Sequence, residues 1–195
     1  DAFEIVTSLD CRNAFDMRRE DSRTRDRYGR DTWGQSALLA RRLVEAGVTY
    51  VTVNMGGWDT HNNNFNELKN RLLPRYDRAL AALVEDLSQR GLDRRVLVMT
   101  YGEFGRTPRI NPTAGRDHWP GANSVVFAGG GLRMGQMIGT TDARAEYPTS
   151  RPASPQDVLA TMYQVLGIDY RHEFMDAGQR PIPILNEGRA IQELL

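Results

Sequence analysis

Val48-Thr-Tyr-Val-Thr-Val53-Asn-Met-Gly-Gly-Trp-Asp-Thr-His61-Asn-Asn-Asn64 is the stretch whose reading decides the fold. Its first six residues form an apolar, β-branched run of the kind that fills a buried strand. The residues that follow are polar and Gly-containing, so Asp59 and His61 are expected in a loop just past the carboxyl end of that strand. Open α/β sheets bind ligands in that position. Residues two apart point the same way in an extended segment and diverge by about 200° on a helix. An extended Asp-x-His can therefore close on one metal ion, since imidazole nitrogen and carboxylate oxygen are both good zinc ligands.

Working outward, Asp31 or Thr32 can cap a helix whose apolar face is Trp33, Ala37, Leu38, Ala40, Leu43 and Val44, and Gly47 ends it. On the other side, Leu68, Leu72, Leu80, Leu83, Val84 and Leu87 predict a long amphipathic helix over 66–90, with Pro74 breaking or kinking it near its first turns. Arg95-Val-Leu-Val-Met-Thr100 is a second apolar strand. Two helix-then-buried-strand units in succession predict an α/β fold: a doubly wound, mostly parallel sheet with helices on both faces. A long loop carries Arg116-Asp-His-Trp119, and Ser124-Val-Val-Phe-Ala128 is the third expected strand. Loops of that length inside a compact domain are usually functional.

The glycines of 129–139 do not form a phosphate-cradling loop, because no helical pattern follows them; a turn into a short strand is expected. Residues 140–153 are polar and predict a surface excursion. Ser154, Pro155 and Asp157 open a well-signalled helix that Gly167 closes. Pro181-Ile-Pro-Ile-Leu185 is expected as an edge strand, followed by a short final helix. At the other end, Phe3, Val6, Ala14, Phe15 and Met17 predict a pair of short helices, and the charged stretch Arg18 to Arg30 a solvated helix or loop.

With 195 residues, and no repeat or linker, residues 1–195 are expected to form a single α/β domain. A first residue of Asp suggests a portion cut from a longer chain. Basic and acidic residues balance at 25 each, so no global field draws in nucleic acid or an anionic membrane. No apolar run approaches the roughly 20 residues of a membrane span. The lone Cys11 excludes an internal disulfide framework.

Three histidines occur, His61, His118 and His172, and the first two adjoin an aspartate within polar loops. A single His near an Asp is more often a structural or surface pair, but two such pairs beside an acidic loop raise the metal reading to parity with it. Glu103, just past the second strand, is a carboxylate for a second ion or a base, or else a partner of Arg106 or Arg109. Arg106 can fork onto a tetrahedral anion such as phosphate or sulfate, or pair with Glu103 or Asp117. Asp117 and His118 are adjacent and face opposite ways in extended chain, so one enters the ligand set and the other orients it; His118 is the favoured ligand. Trp58 and Trp119 flank the motifs and serve either as packing or as walls of a pocket. His172 is expected at the surface.

Gly57-Trp-Asp-Thr-His61, Glu103-Phe-Gly-Arg-Thr-Pro108 and Gly115-Arg-Asp-His-Trp119, in that order, resemble the bacterial family called domain of unknown function 1501, from about Trp33 to the end. That family is similar in fold to the alkaline phosphatase and sulfatase superfamily. The resemblance implies a carboxyl-terminal portion of a metal-dependent phosphate- or sulfate-ester hydrolase. Asp59, His61 and His118 then resemble one metal site, Glu103 a ligand of a second, with Asp117 beside them and Arg106 as the catalytic group facing the anion. It further implies a divalent metal, zinc first with manganese or calcium as alternatives, and a small anionic ester or a sulfated or phosphorylated sugar as partner. Export to the periplasm follows from the resemblance only. The chain departs from the superfamily in its close Asp-x-His spacing, in Phe104 where a His would follow, and in having no nucleophile-bearing strand end before Trp33; Thr60 and Thr107 do not match that motif. Weak or absent activity of the chain alone is therefore expected. The alternatives are a degenerate, non-catalytic member that binds an anionic sugar or a protein partner, and a phosphomutase on the same ligands.

Overall fold

A computed structural model describes residues 7–195. The expectations placed on Phe3 and Val6 lie outside the described residues. The chain divides into two compact units, one running to Leu92 and taking in Arg109–Asp117, the other comprising Asp93–Pro108 and His118–Leu195.

The first unit is helical. Helix α1 (Leu9–Phe15) starts at Ser8, whose hydroxyl accepts from the Cys11 amide, and a 3-10 turn follows at Met17–Arg19. Helix α2 (Ser22–Tyr28) ends at Gly29, and α3 (Thr32–Glu45) is capped by Asp31, whose carboxylate accepts from the amides of Trp33 and Gly34. Short side-chain acceptors at these caps satisfy amide groups that have no partner inside the helix. Gly34 lets α3 start close to the preceding turn, since a Cβ there would meet the Tyr28 carbonyl at 2.1 Å.

Helix α4 (Asn64–Glu67) runs through a π-helical turn at Leu68–Leu72 into α5 (Leu73–Gln89). Pro74 therefore does not break the helix. Its missing N–H and bulky ring are absorbed by the wider turn just before it, in which the Leu73 amide reaches back five residues to the Leu68 carbonyl. Tyr28, Ala37, Leu38, Ala79 and Ala82 form the core between α2, α3 and α5, with Met17, Met55 and Leu83 packed against it.

Charge is buried in this core as well. The Asp86 carboxylate accepts from the Tyr28 hydroxyl at 2.9 Å and pairs with Arg41 at 3.0 Å, Arg90 at 2.9 Å and Arg27 at 3.1 Å. Arg41 also reaches Glu20 at 2.7 Å, which Arg42 shares at 2.8 Å. The stretch from Arg18 to Arg30 is thus not simply solvated: its Glu20 and Tyr28 supply inward-facing partners that charge patterning alone does not reveal.

The second unit overturns the predicted fold class. Strand β1 (Leu97–Thr100) pairs antiparallel with β4 (Val126–Gly129), matching Leu97 to Gly129 and Thr100 to Val126. Between them lie only the two-residue strands β2 (Gly105–Arg106) and β3 (His118–Trp119), which pair with each other, also antiparallel. Strands β5 (Thr140–Thr141) and β6 (Pro148–Ser150), then β7 (Glu173–Met175) and β8 (Pro181–Pro183), form two more antiparallel pairs. Among the described residues there is no doubly wound, mostly parallel sheet with helices on both faces, alkaline phosphatase-like or otherwise: each sheet has two strands.

The physical reason is in the connections. Parallel neighbours need a crossover of a dozen or more residues, usually helical, whereas the residues joining β1 to β4 hold no helix and bring the chain back in the reverse direction. The run 48–53 forms no strand. Val51, Val53 and Met55 are half-buried while Thr52 and Asn54 are exposed, a period-2 burial without a ladder.

Helix α6 (Pro155–Val165) follows its sequence signal, with a reciprocal capping box between Ser154 and Asp157. The expected final helix is instead a set of turns, with Leu194 and Leu195 donating to carbonyls three residues back. No helix among the described residues is long and apolar enough to cross a membrane.

Burial by itself would raise the carboxyls of Asp86 and Glu20. The hydrogen bonds and charges of Arg90, Tyr28 and Arg41 on Asp86, and of Arg42 and Arg41 on Glu20, outweigh that and hold both below the usual carboxylate range. A carboxyl lowered in the folded state contributes stability that is complete above its unfolded value, about 4, and lost as pH falls through the lowered folded value. The helical unit is expected to keep its stability down to about pH 5 and lose it below about pH 4. Asp86→Asn should cost about 3 kcal/mol at neutral pH, because it leaves Arg41 buried with too little opposite charge, and should flatten the acid limb. Amide exchange of α3 and α5 across pH checks both.

Candidate functional site

Within the first unit, the chain from Met55 to Asn64 is fastened at two points. Gly57, at φ +100°, makes a turn that favours glycine, and the Trp58 indole then donates back to the Met55 carbonyl at 2.6 Å. The same indole stacks on Trp33 of α3 at 5.5 Å and meets Tyr76 of α5 edge-on at 5.8 Å. Trp58 is accordingly a packing anchor. Two residues on, Thr60 is buried and its hydroxyl donates to the Asn64 side-chain oxygen at 2.5 Å. With Thr60 turned inward, Asp59 lies exposed and His61 half-exposed on either side of it.

The loop 109–117 docks on this segment through its backbone. The amides of Asn63 and Asn64 donate to the carbonyls of Thr113 and Ala114 at 3.0 and 2.9 Å, and the Arg116 amide donates to the Thr60 carbonyl at 3.3 Å. The Asn111 side chain donates to the His61 carbonyl at 2.9 Å, and the Thr113 hydroxyl to the same carbonyl at 3.1 Å. Contact is so close at Gly115 that a Cβ there would sit 1.8 Å from the His61 carbonyl oxygen.

This docking brings Asp117 to His61. The imidazole Nδ1 lies 2.7 Å from the Asp117 carboxylate, and Nε2 lies 2.9 Å from that of Asp59. A neutral imidazole has one N–H and one lone pair, so it can donate to only one of two carboxylates. The arrangement is satisfied if the ring carries both protons, or if a cation stands between Nε2 and Asp59 while Nδ1–H donates to Asp117. The second case is the carboxylate–histidine–metal pattern, and the donor types fit it.

In the second unit, His118 opens β3 and is the cross-strand partner of Arg106 in β2, so the two share a face of the short ladder. Phe104, two residues before Arg106, brings its ring to 4.2 Å from the His118 imidazole and 5.9 Å from the Arg106 guanidinium. Trp119 points the other way, donating to the Glu146 carbonyl at 2.7 Å and packing on Tyr147. Glu103 is exposed in the bend before β2. His172 is exposed, with Phe174 edge-on to its ring at 4.9 Å.

The two units meet in sequence at the Asp117–His118 peptide bond. That bond holds the two Cα atoms about 3.8 Å apart. Asp59, His61 and His118 are a candidate metal-binding triad, one carboxylate and two imidazoles, and Glu103 and Asp117 are not members of it. Asp117 instead holds the ring of His61. The residues that sequence reasoning passed over are Asn111 and Thr113, while Gly115 figured only as the start of a motif. Their signal was a polar turn composition shared by many loops, with nothing to say which carbonyl it would grip.

A helical unit bearing a histidine between two carboxylates, joined to a unit of short antiparallel ladders, is the class that fold and site define. The model of the family described as a protein of unknown function (DUF1501) matches residues 1–195, and the chain belongs to that family. The match reaches the first residue, well before Trp33. No curated protein and no solved structure gave a match.

Gly115→Ala is expected to push the 109–117 loop off the His61 carbonyl, at a cost of about 1–3 kcal/mol, because the obstacle is backbone and cannot swing aside. Amide exchange should rise at Asn63, Asn64 and Arg116, whose protecting bonds cross that contact.

Proposed function

We propose that this chain holds a divalent metal ion on Asp59, His61 and His118 and serves the hydrolysis of a phosphate or sulfate ester, with Arg106 gripping the anion. The observation that carries the reading is the His61 imidazole set between two carboxylates, Asp117 on Nδ1 at 2.7 Å and Asp59 on Nε2 at 2.9 Å. With Nδ1–H given to Asp117, His61 Nε2 and the Asp59 carboxylate, 2.9 Å apart, are a nitrogen and an oxygen donor for a cation. His118, one peptide bond from Asp117, supplies a second imidazole.

Two imidazoles and a carboxylate suit zinc first, with manganese and calcium as alternatives. Such an ion, when bound, polarises an ester oxygen and lowers the pKa of a neighbouring water or hydroxyl. Arg106 stands on the His118 face of its ladder, and its planar fork matches a tetrahedral anion. Glu103, three residues before it, is the carboxylate we assign to a second ion or to general-base work. What the reading shares with the alkaline phosphatase and sulfatase superfamily is this ligand chemistry and not the fold. A sugar platform built on Trp58 and Trp119 has less support, because both indoles are turned into packing and donate to carbonyls.

Zinc titration followed by calorimetry and thermal denaturation tests the site. One ion is expected on the Asp59, His61 and His118 triad, with a stabilisation of about 2.7 kcal/mol at a hundredfold excess over Kd. His61→Ala and His118→Ala should each abolish it, whereas His172→Ala should not. A folded chain whose melting temperature ignores zinc, manganese and calcium alike would overturn the reading. Metal-dependent release of phosphate or sulfate from an aryl ester tests the chemistry, and Arg106→Ala should raise KM about tenfold or more for either ester.

A further inference from the structure

We infer that Asn111 is a positioning residue that decides which nitrogen of His61 is offered to the metal; the inference rests on the metal reading above. Its side chain is used completely. One Nδ2 hydrogen goes to the His61 carbonyl at 2.9 Å and the other to the Asp117 carboxylate at 3.3 Å. Its Oδ1 accepts from the amides of Thr113 and Gly115 at 3.0 and 2.8 Å, and the Thr113 hydroxyl, 2.8 Å away, shares its one hydrogen between this oxygen and the His61 carbonyl.

These partners fix the amide orientation. Turned over, Nδ2 would face two N–H donors, and Oδ1 would face a carbonyl and a carboxylate, so every contact to those groups would become repulsive. Asn111 thus holds one end of the imidazole's segment by its backbone and aims the carboxylate that takes the ring's Nδ1 proton. The Asp117 oxygen that Asn111 touches is the same Oδ1 that lies 2.7 Å from the ring. An amide that donates to this oxygen pins it in place while leaving its negative charge for Nδ1–H. The consequence is a ring with Nδ1 protonated and Nε2 open, the form that a metal on the Asp59 side requires.

Asn111→Asp separates this role from mere loop closure. An aspartate keeps an oxygen for the Thr113 and Gly115 amides, yet it replaces both donors by an acceptor and sets a carboxylate against Asp117. Nitrogen NMR of the His61 ring in the metal-free, full-length chain, about two pH units above the ordinary histidine value, reads the tautomer directly. The parent chain is expected in the Nδ1–H form and the variant shifted toward Nε2–H, with zinc affinity reduced about tenfold, the low end for groups that orient a metal ligand. Thr113→Val, which loses the hydroxyl shared between the His61 carbonyl and Asn111 Oδ1 but keeps the amide that donates to that oxygen and does not touch Asp117, should leave the tautomer unchanged. Asn111→Ser keeps a short acceptor for the turn but cannot reach Asp117; it should give the same tautomer shift and serves if the aspartate variant does not fold.

An unchanged His61 tautomer in both Asn111 variants would overturn the inference whether or not the chain binds zinc. Failure of the parent to bind zinc while the tautomer responds as expected would overturn the metal reading and leave the role of Asn111 standing.

Discussion

The buried Asp86 carboxylate is the constraint on which the helical unit depends. It sits on α5 with almost no exposure and draws partners from the end of α2, from α3 and from its own helix. A lone carboxylate there would be prohibitive, and Arg41, equally buried, would be costly without it, so the helices must assemble with both present. Directional bonds of this kind select one register between α3 and α5, where a core containing Ala37, Ala79 and Ala82 offers little shape of its own. That register matters beyond α3 and α5. Trp33 and Tyr76, one from each helix, are the two surfaces against which Trp58 is set, and Trp58 immediately precedes Asp59.

Much of the helical structure was legible because helix signals are local. Asp31 and Ser154 announce their helices by side-chain acceptors that need nothing from distant chain. Pro74 was also a local signal: of the break or kink that it announces, the break does not occur, and a π turn relieves the clash without ending the helix. Strand signals were legible as elements and misleading as architecture. Residues 97–100 and 126–129 are strands, yet their pairing direction is set by what joins them, and a helix-free connection returns the chain antiparallel. The 48–53 run shows that β-branched composition does not by itself supply a strand partner.

The site was legible to the same degree. Asp59 and His61 announce themselves by spacing, and they do come together at 2.9 Å. That Asp117 reaches the ring's Nδ1 depends on how a loop fifty residues later lies on the 60–64 segment. Asn111 shows the difficulty most plainly. Its sequence context reads as an ordinary turn, and its oxygen does make that turn; only its nitrogen, facing a carbonyl and a carboxylate, carries the further role.

The energetics of the His61 cluster also argue that it is held and does not hold itself. Its three side chains are 40 to 65% exposed, and ion pairs so exposed contribute at most about 1 kcal/mol each. Two aspartates bracketing one ring also repel each other and compete for its proton. The distances therefore have to come from the surroundings: three backbone bonds across the loop, the Gly115 contact, the Asn111 amide and the Trp58 anchor. A fold that spends this much order on surface groups with so little to gain from one another is maintaining a local conflict, and conflicts of that kind concentrate where function is performed. An ion held by His61 and Asp59 would remove the conflict: it would take up the Nε2 lone pair, neutralise one carboxylate and leave the other its proton donor.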